Sequence, residues 1–541
     1  MTTPEAVTTA PESKGLSHRQ ILTIMSGLLL GMFLASLDQT IVSTAMRTIA
    51  DKLNGQTAQA WVTTAYLVTS TVSTPLYGKL SDLYGRKPFY LFAIGAFLVG
   101  SVLCGQAHSI YELAGYRAIQ GLGAGGLLSL AFAIIGDLVA PRERAKYQAY
   151  FTSVFATSSV LGPVLGGFFA GQDQIFGIDG WRFIFYINLP LGALAFWTVQ
   201  RHLTLPRHRT ERRIDYLGAA LLTTTVVPLL LVAEKGREWG WGSGLTLGML
   251  AISTVSLVAF LPREAKMGED AILPLRVFRN KVFSVTSVVA FFVGMVMFGG
   301  LVLMPLYLQI VKQETPTKAG LQLTAFMAGL MGSSLTVGRI MQRTGRYKIF
   351  PIFGTAIMFV GALLFSTLSL TTPIPQVMSY MVVMGIGLGL TMQMLVIAVQ
   401  NALPPSDMGL STSSVTFFRS MGGTLGAAVS LGVLFGSVRG NILDRAAEAH
   451  FPAAALQVIR TVSLDNTGNF SKLPAAARNV VLSGFADSMD TVFLVVAAVC
   501  IPAFIGTFFI KEVPLRSQGG LAAQRTATDD GDLAMAETAV V

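Results

Sequence analysis

Read only for apolar and polar positions, the chain alternates apolar blocks of about 20 to 25 residues with short polar loops, almost from end to end. An α-helix of that length covers the roughly 30 Å hydrocarbon core of a bilayer. Fourteen such blocks begin near Ile21, Ala58, Phe89, Leu113, Gln148, Phe183, Tyr216, Trp241, Phe283, Ala319, Ile349, Val377, Ser411 and Thr491. The pattern predicts an all-α integral membrane protein with 14 transmembrane helices. The first block is too long for a removable signal peptide and lacks a convincing small-residue cleavage site, so it is expected to stay in the protein. Residues 1–19 and 512–541 are rich in Thr, Ala, Glu and Asp with little apolar periodicity, and read as disordered tails. The stretch 439–487 reads as a long outer loop with short helical patterns at "ILDRAAEAH" and "AAARNVVLSG".

Composition agrees with a lipid solvent: 52% of the 541 residues are hydrophobic and only 13% charged, too few charges for a soluble chain of this size. The net charge of +10 sits mainly in alternate short loops, such as the one with Lys79, Arg86 and Lys87 and the one with Arg142, Arg144 and Lys146. By the positive-inside rule those loops are cytoplasmic, and an even span count places both termini there too. The basic residues are scattered without aromatic interleaving, so no nucleic-acid partner is expected. Cys104 and Cys500 both fall in apolar blocks, which argues against a structural disulfide. His18, His108, His202, His208 and His450 lie near loops or termini, so no metal site is expected. No GxxxxGK[ST] loop occurs to support ATP-driven work.

The chain repeats itself. "GKLSDLYGRK" (78–87) and "GRIMQRTGRY" (338–347) share Gly78, Gly85 and Arg86 with Gly338, Gly345 and Arg346, and at the same offset "GPVLG" (162–166) aligns with "GGTLG" (422–426). Two matches at one offset predict a duplicated unit: a six-helix bundle over 20–200 (spans 1–6), a second over 282–511 (spans 9–14), and between them two inserted linker spans with their loops over 201–281. Such a pair of bundles leaves a central cavity for cargo.

Asp38, in "LASLDQT", lies about eight residues, roughly 12 Å, from the outer end of span one, and Arg117 lies about six residues, roughly 9 Å, into span four from the same side. At matching depths the carboxylate can be ionised beside the cation and neutral when it takes up a proton. The plainer alternatives are that Asp38 satisfies a donor between helices and that Arg117 bonds helix carbonyls. Gln120 is one turn from Arg117, and Gly121, Gly123, Gly125 and Gly126 permit close helix approach. Asp82, where span two ends, can pair with Arg86 or cap a helix of the other bundle, a latch made only when the cytoplasmic side is shut; a solvated basic loop is the alternative. Its counterpart in the second copy is Gln342, so the charge is not repeated. Gly162 and Pro163 interrupt span five, and Gly166 and Gly167 extend a smooth face. For cargo, Met295, Phe298 and Tyr307 in span nine, Met392 and Gln393 in span twelve, with Gln39, Gln120 and Arg419, are candidate cavity residues; packing against helices or lipid is the alternative.

"LDQT", "GKLSDLYGRK", "RAIQGLGAGG" (117–126), "LGPVLGG" (161–167), "WRFIFYINLPLG" (181–192) and "IDYLG" (214–218) together resemble the major facilitator superfamily, specifically its 14-span drug:proton antiporter branch of the QacA and EmrB type, from about Ile21 to Lys511. The resemblance implies an exporter of hydrophobic or cationic drugs, dyes or antibiotics in a bacterial plasma membrane, driven by the proton gradient without a cofactor and expected to be a monomer. It implies proton transfer at Arg117 and an antiporter signature at Gly162–Pro163. Two positions depart from the branch: Ser158 stands where a glycine is expected, and Arg47 where proline is usual. The remaining alternatives are an exporter of one native amphiphile, lipid or secondary metabolite, and a polytopic membrane enzyme, for which no His, Asp or Cys cluster is present at a membrane face.

Overall fold

The computed structural model describes residues 18–54, 58–139, 141–203, 215–404, 407–450 and 474–515. Both tails as far as residues 17 and 516, the basic segment 204–214 and the side chain of Arg47 lie outside the described residues. The described chain is helical apart from a two-residue-per-strand hairpin, Gln174–Ile175 with Ile178–Asp179. The first half holds α1 (His18–Lys52), α2 (Gln59–Tyr84), α3 (Arg86–Gly105), α4 (Ile110–Leu138), α5 (Pro141–Ala170), the short α6 (Phe183–Tyr186) and α7 (Asn188–His202). Next come α8 (Tyr216–Trp239), α9 (Gly244–Met267) and the short α10 (Leu275–Phe278). The second half holds α11 (Lys281–Leu306), α12 (Pro316–Gln322), α13 (Thr324–Thr344), α14 (Ile349–Phe365), α15 (Ile374–Ala402), α16 (Met408–Glu448) and α17 (Ala475–Phe509).

Among the described residues, 12 helices are long and apolar enough to cross a membrane. Two others stand beside them: α14, a 17-residue apolar helix, and α2, whose many Ser and Thr residues lower its hydropathy. α2 can be this polar because it packs on protein, against α4 within its own half and against α16 of the other.

The helices sort into two bundles. α4 packs on α2 and α3, and α1 on α5 and α7; α16 packs on α11 and α17, and α15 on α13 and α14. Across the seam α5 meets α13, and α16 meets α2 and α4, while the α8–α9 hairpin rests on α2 and α16. The repeated glycines occupy equivalent places. A Cβ at Gly162 or Gly166 would strike Thr40 or the Ile41 carbonyl of α1, and one at Gly422 or Gly426 would strike the Phe291 or Met295 carbonyl of α11. Gly85 and Gly345, with φ of 97° and 70°, make the corresponding turns after α2 and α13, where an L side chain would be strained.

Within the expected outer loop at 439–487, residues 439–448 and 475–487 are helix, and these cover most of the two stretches whose patterns read as helical, "ILDRAAEAH" and "AAARNVVLSG". α16 continues through 439–448 and α17 starts at Ala475, 16 residues before the predicted start of the last span, while residues 451–473 lie outside the described residues. With 41 residues α16 runs about 62 Å, twice the hydrocarbon thickness. Its projecting end is held to α17 by Arg445, whose guanidinium donates to both carboxylate oxygens of Asp487 at 2.6 and 2.9 Å, and by Asn441 Nδ2 donating to Ser488 Oγ at 2.8 Å. The stretch between the spans read as a long loop with short helical patterns; in the structure those patterns extend the two flanking helices, and Arg445 and Asp487 pair at their partly exposed surface. After Pro305, the backbone passes into a π-helical turn over Tyr307–Val311.

Candidate functional site

The glycine run of α4 sets the site. Cβ atoms at Gly121 and Gly125 would collide with the Tyr66 and Ser70 carbonyls of α2, and one at Gly123 with the Ala93 carbonyl and Phe97 backbone of α3, so α4 is drawn in between the two. That places Arg117 and Gln120, three residues apart on one face, inside the bundle against α1. Arg117 Nη1 pairs with Asp38 Oδ2 and donates to Gln120 Oε1 at 2.7 Å. Gln120 Nε2 donates to Asp38 Oδ1 at 2.9 Å and to Ser101 Oγ at 2.7 Å. Asn188 Nδ2 donates to the same Asp38 oxygen at 3.0 Å and to Ser101 Oγ at 3.2 Å. The guanidinium lies over the Tyr66 ring, 4.0 Å from its centroid. Asp38 is 0% exposed and Arg117 1%.

Five elements therefore meet in one network around a carboxylate that is fully out of solvent: α4 and α7 reach Asp38 of α1 directly, and α2 and α3 hold its partners. Removing one partner of a buried pair costs about 3–5 kcal/mol because it strands the other charge. Arg117 Nε and Asn188 Oδ1 are buried with no hydrogen-bond partner among the described residues, so the network has capacity to rearrange. Chemically, this is a buried carboxylate–guanidinium pair whose amide donors tie α1, α3, α4 and α7 together. Ser101, Asn188 and Tyr66 were not singled out from the sequence.

The far end of α4 enters a second cluster. Asp82 Oδ1 and Oδ2 accept from the backbone N–H groups of Gly409 and Leu410 at 3.0 and 2.7 Å, capping the first turn of α16 in the other bundle. Asp82 also pairs with Arg86 at 2.5 Å, and Arg86 Nε donates to Asp137 of α4 at 2.7 Å. Both arrangements expected as alternatives for Asp82 thus coexist. Gly78 is needed in the same seam, since a Cβ there would lie 1.9 Å from Ser413 Oγ. A further crossing was not foreseen: Arg144 Nη1 donates to Gln400 Oε1 at 2.8 Å, and Gln400 Nε2 donates to the Phe132 carbonyl at 3.2 Å and Thr412 Oγ1 at 2.8 Å. The bundles are closed on each other at this basic end.

In α5 the smooth face is real but narrower than the sequence suggested. Gly162 and Gly166 face α1, where Thr40 Oγ1 donates to the Ser158 backbone carbonyl at 3.0 Å, and the Ser158 hydroxyl is satisfied within α5 by donating to the Val154 carbonyl at 2.9 Å. Pro163 meets Gly320 of α12 across the seam. Gly167 faces outward, with nothing within 4 Å of an added Cβ, because it is turned 100° from Gly166.

The candidate cargo residues scatter. Tyr307 is buried at 1% exposure and its hydroxyl donates to the Ser369 carbonyl at 2.8 Å, so it ties the π-turn to a loop and does not line a cavity. Gln120 belongs to the Asp38 network and Gln393 is buried. Met295 lines a small cavity with Gly426, Val429, Ser430, Val495, Val496 and Val499, within the second bundle between α11, α16 and α17. Phe298 packs its ring on Gly423. Gln39, Met392 and Arg419 are half-buried.

Two helical bundles with a pseudo-repeat, shut against each other at one end and enclosing a carboxylate–guanidinium pair, define a membrane transporter and not an enzyme. The sequence profile of the Major Facilitator Superfamily matches residues 28–427, and the chain belongs to that family. It is 36% identical over 522 residues to an uncharacterized MFS-type transporter of Mycobacterium tuberculosis, covering 95% of this chain and 74% of that one. It is 32% identical to the multidrug transporter protein MdtP of Bacillus subtilis (92% and 94% covered) and 33% identical to Multidrug resistance protein 3 of the same species (91% and 96%). Among solved structures, the proton:xylose symporter XylE shares the fold at a TM-score of 0.57 and 15% identity, over 89% of this chain and 95% of that one.

Proposed function

We propose that the chain is a proton-coupled exporter of lipophilic drugs, dyes or antibiotics, an antiporter working by alternating access in the cell membrane. In this reading it crosses the membrane 14 times, through the 12 long apolar helices together with α2 and α14, with both termini cytoplasmic, and it works as a monomer without a cofactor. The observation that carries the proposal is the Asp38 network: a fully buried carboxylate held by Arg117, Gln120 and Asn188 is a place for the exchanged proton. Relatives named as multidrug transporters support the cargo class.

In the proposed cycle the basic end is shut while the cavity faces outward. A proton reaching Asp38 neutralises it and weakens its hold on Arg117, freeing α4 to shift against α1. α4 also carries Asp137, 20 residues or roughly 30 Å away, which holds Arg86 in the latch. One rigid helix thus links protonation to release of Asp82 from α16 and opening of the cytoplasmic side, where drug enters and the proton leaves. The reading is tested by expressing the protein in a host stripped of its own pumps and measuring dye efflux and susceptibility across a lipophilic drug panel. Efflux that collapses when the proton gradient is dissipated is the expected result, and no change against an empty vector for every compound overturns it.

A further inference from the structure

The inserted hairpin α8–α9 plays no part in the proposed cycle, yet its base at the basic end carries buried charge. "IDYLG" (214–218) supplies Asp215, which caps α8. Its Oδ1 accepts from the Gly218 N–H at 2.9 Å and from Nε and Nη2 of Arg263 on α9 at 3.1 and 2.9 Å. Glu264, the next residue of α9, turns inward, and its Oε2 accepts from the Leu273 N–H at 2.8 Å. Both carboxylates are 0% exposed. Each has a second oxygen, Asp215 Oδ2 and Glu264 Oε1, that is buried without a hydrogen-bond partner among the described residues. These two oxygens share one space: a Cβ at Gly218 would lie 2.4 Å from Asp215 Oδ2 and 2.9 Å from Glu264 Oε1, so the glycine leaves the room in which they meet. Lys79 of α2, itself buried, acts on Glu264 through space. The hairpin is tied to both bundles, since Leu222, Val226 and Leu230 of α8 share one apolar core with Val68 and Val72 of α2 and with the second bundle.

With both groups ionised, two anionic oxygens would face each other in a dry space with no donor for either, and Arg263 does not relieve this because both its nitrogens go to the other oxygen of Asp215. One proton satisfies both oxygens at once. We infer that Asp215 Oδ2 and Glu264 Oε1 share a proton taken from the aqueous side at the basic end, and that this site, separate from Asp38, sets how firmly the hairpin holds α2. With the proton in place, one carboxyl donates to the other carboxylate and the pair carries a single negative charge. Without it the pair carries two, repels itself and pulls harder on Lys79. Lys79 follows Gly78, whose missing side chain lets α2 meet Ser413 of α16, so the pull is applied beside the seam between the bundles. The hold of the hairpin on α2 therefore tightens as pH rises through the titration of the pair and slackens as pH falls. The site depends neither on the cargo nor on proton exchange at Asp38.

The test is infrared difference spectroscopy on the full chain in nanodiscs, titrated between about pH 6 and 9, above the range in which solvated carboxyls ionise. Wild type is expected to show the carbonyl stretch of a protonated carboxyl, which is lost as pH rises and moves on exchange into heavy water. Asp215→Asn and Glu264→Gln should each remove that band, because a lone carboxylate beside Arg263 or Lys79 ionises, and the band should persist in an Asp38→Asn background. A wild type without the band overturns the inference before any variant is made. A band undiminished in either variant also overturns it, by placing the proton on a single residue. Replacing sodium and potassium by choline should change nothing; a band that appears only then assigns the space to an alkali cation and overturns the shared proton. Spin labels at Tyr84→Cys on α2 and Lys266→Cys on α9, both exposed, read the hold on α2. Their distance distribution should narrow as the band is lost in wild type and stay fixed in Glu264→Gln. A wild-type distribution unchanged across the titration overturns the control of α2.

Discussion

Replacing Asp82 by asparagine keeps the shape of the latch and removes its charge. In the closed form Asp82 gives two oxygens to the N–H groups of Gly409 and Leu410 and pairs with Arg86. Asparagine retains one acceptor and turns an NH2 toward the other N–H, so one charge-assisted bond of about 1.5–3 kcal/mol is lost, along with about 0.5–1 kcal/mol of interaction with the α16 dipole. In an open form the side chain is wetted and the substitution costs little. The equilibrium between closed and open should therefore move by about 2–4 kcal/mol, or roughly 30- to 1000-fold in population. Spin labels at Tyr84→Cys and Thr344→Cys, both exposed and on opposite bundles at the basic end, report that opening as a distance distribution. The native Cys104 and Cys500 are buried and should contribute little background. Asp82→Asn should populate a longer distance at the expense of the shorter one, with protein yield and thermal stability near wild type. Distributions that superimpose would refute the latch.

Gly162→Leu should leave membrane insertion intact and reduce transport at least tenfold, since its side chain enters space held by Thr40 of α1; efflux at wild-type rate would mean that α5 can move away without consequence. Gln400→Leu should open the basic end in the same spin-label assay, by less than Asp82→Asn because the lost bonds include neutral ones, and should be roughly additive with it if the two crossings are independent. Asn188→Leu removes one donor to Asp38 while keeping the branched shape, so uphill efflux should fall several-fold at equal expression; efflux at the wild-type rate would show Asn188 to be a packing residue.

Much of this architecture could be read from the chain because membrane spans obey simple counting. Matching residue counts from the outer side brought Asp38 and Arg117 to one depth, and the three-residue spacing brought Gln120 beside them. The 260-residue offset located glycines that indeed occupy equivalent turns and helix crossings. What stayed hidden depended on partners far apart in sequence. Asn188 is 150 residues from Asp38, in a segment that reads as an ordinary apolar span, and Gln400 is 256 residues from Arg144. At 439–448 and 475–487 periodicity did mark helical stretches, but it gave no sign that they continue the neighbouring spans as α16 and α17. For Tyr307, residue type suggested a cavity while the π-turn buried it.

The central claim is that Asp38 carries the exchanged proton, and the most direct measurement is proton movement in reconstituted vesicles when a transported dye is added, comparing wild type, Asp38→Asn and Asp38→Glu. Wild type should release protons on dye addition and pump dye against its gradient. Asp38→Asn should still bind dye yet show neither proton release nor uphill transport, with Asp38→Glu intermediate. An asparagine variant that pumps dye uphill and moves protons at the wild-type rate would contradict the account and make the carboxylate a structural contact.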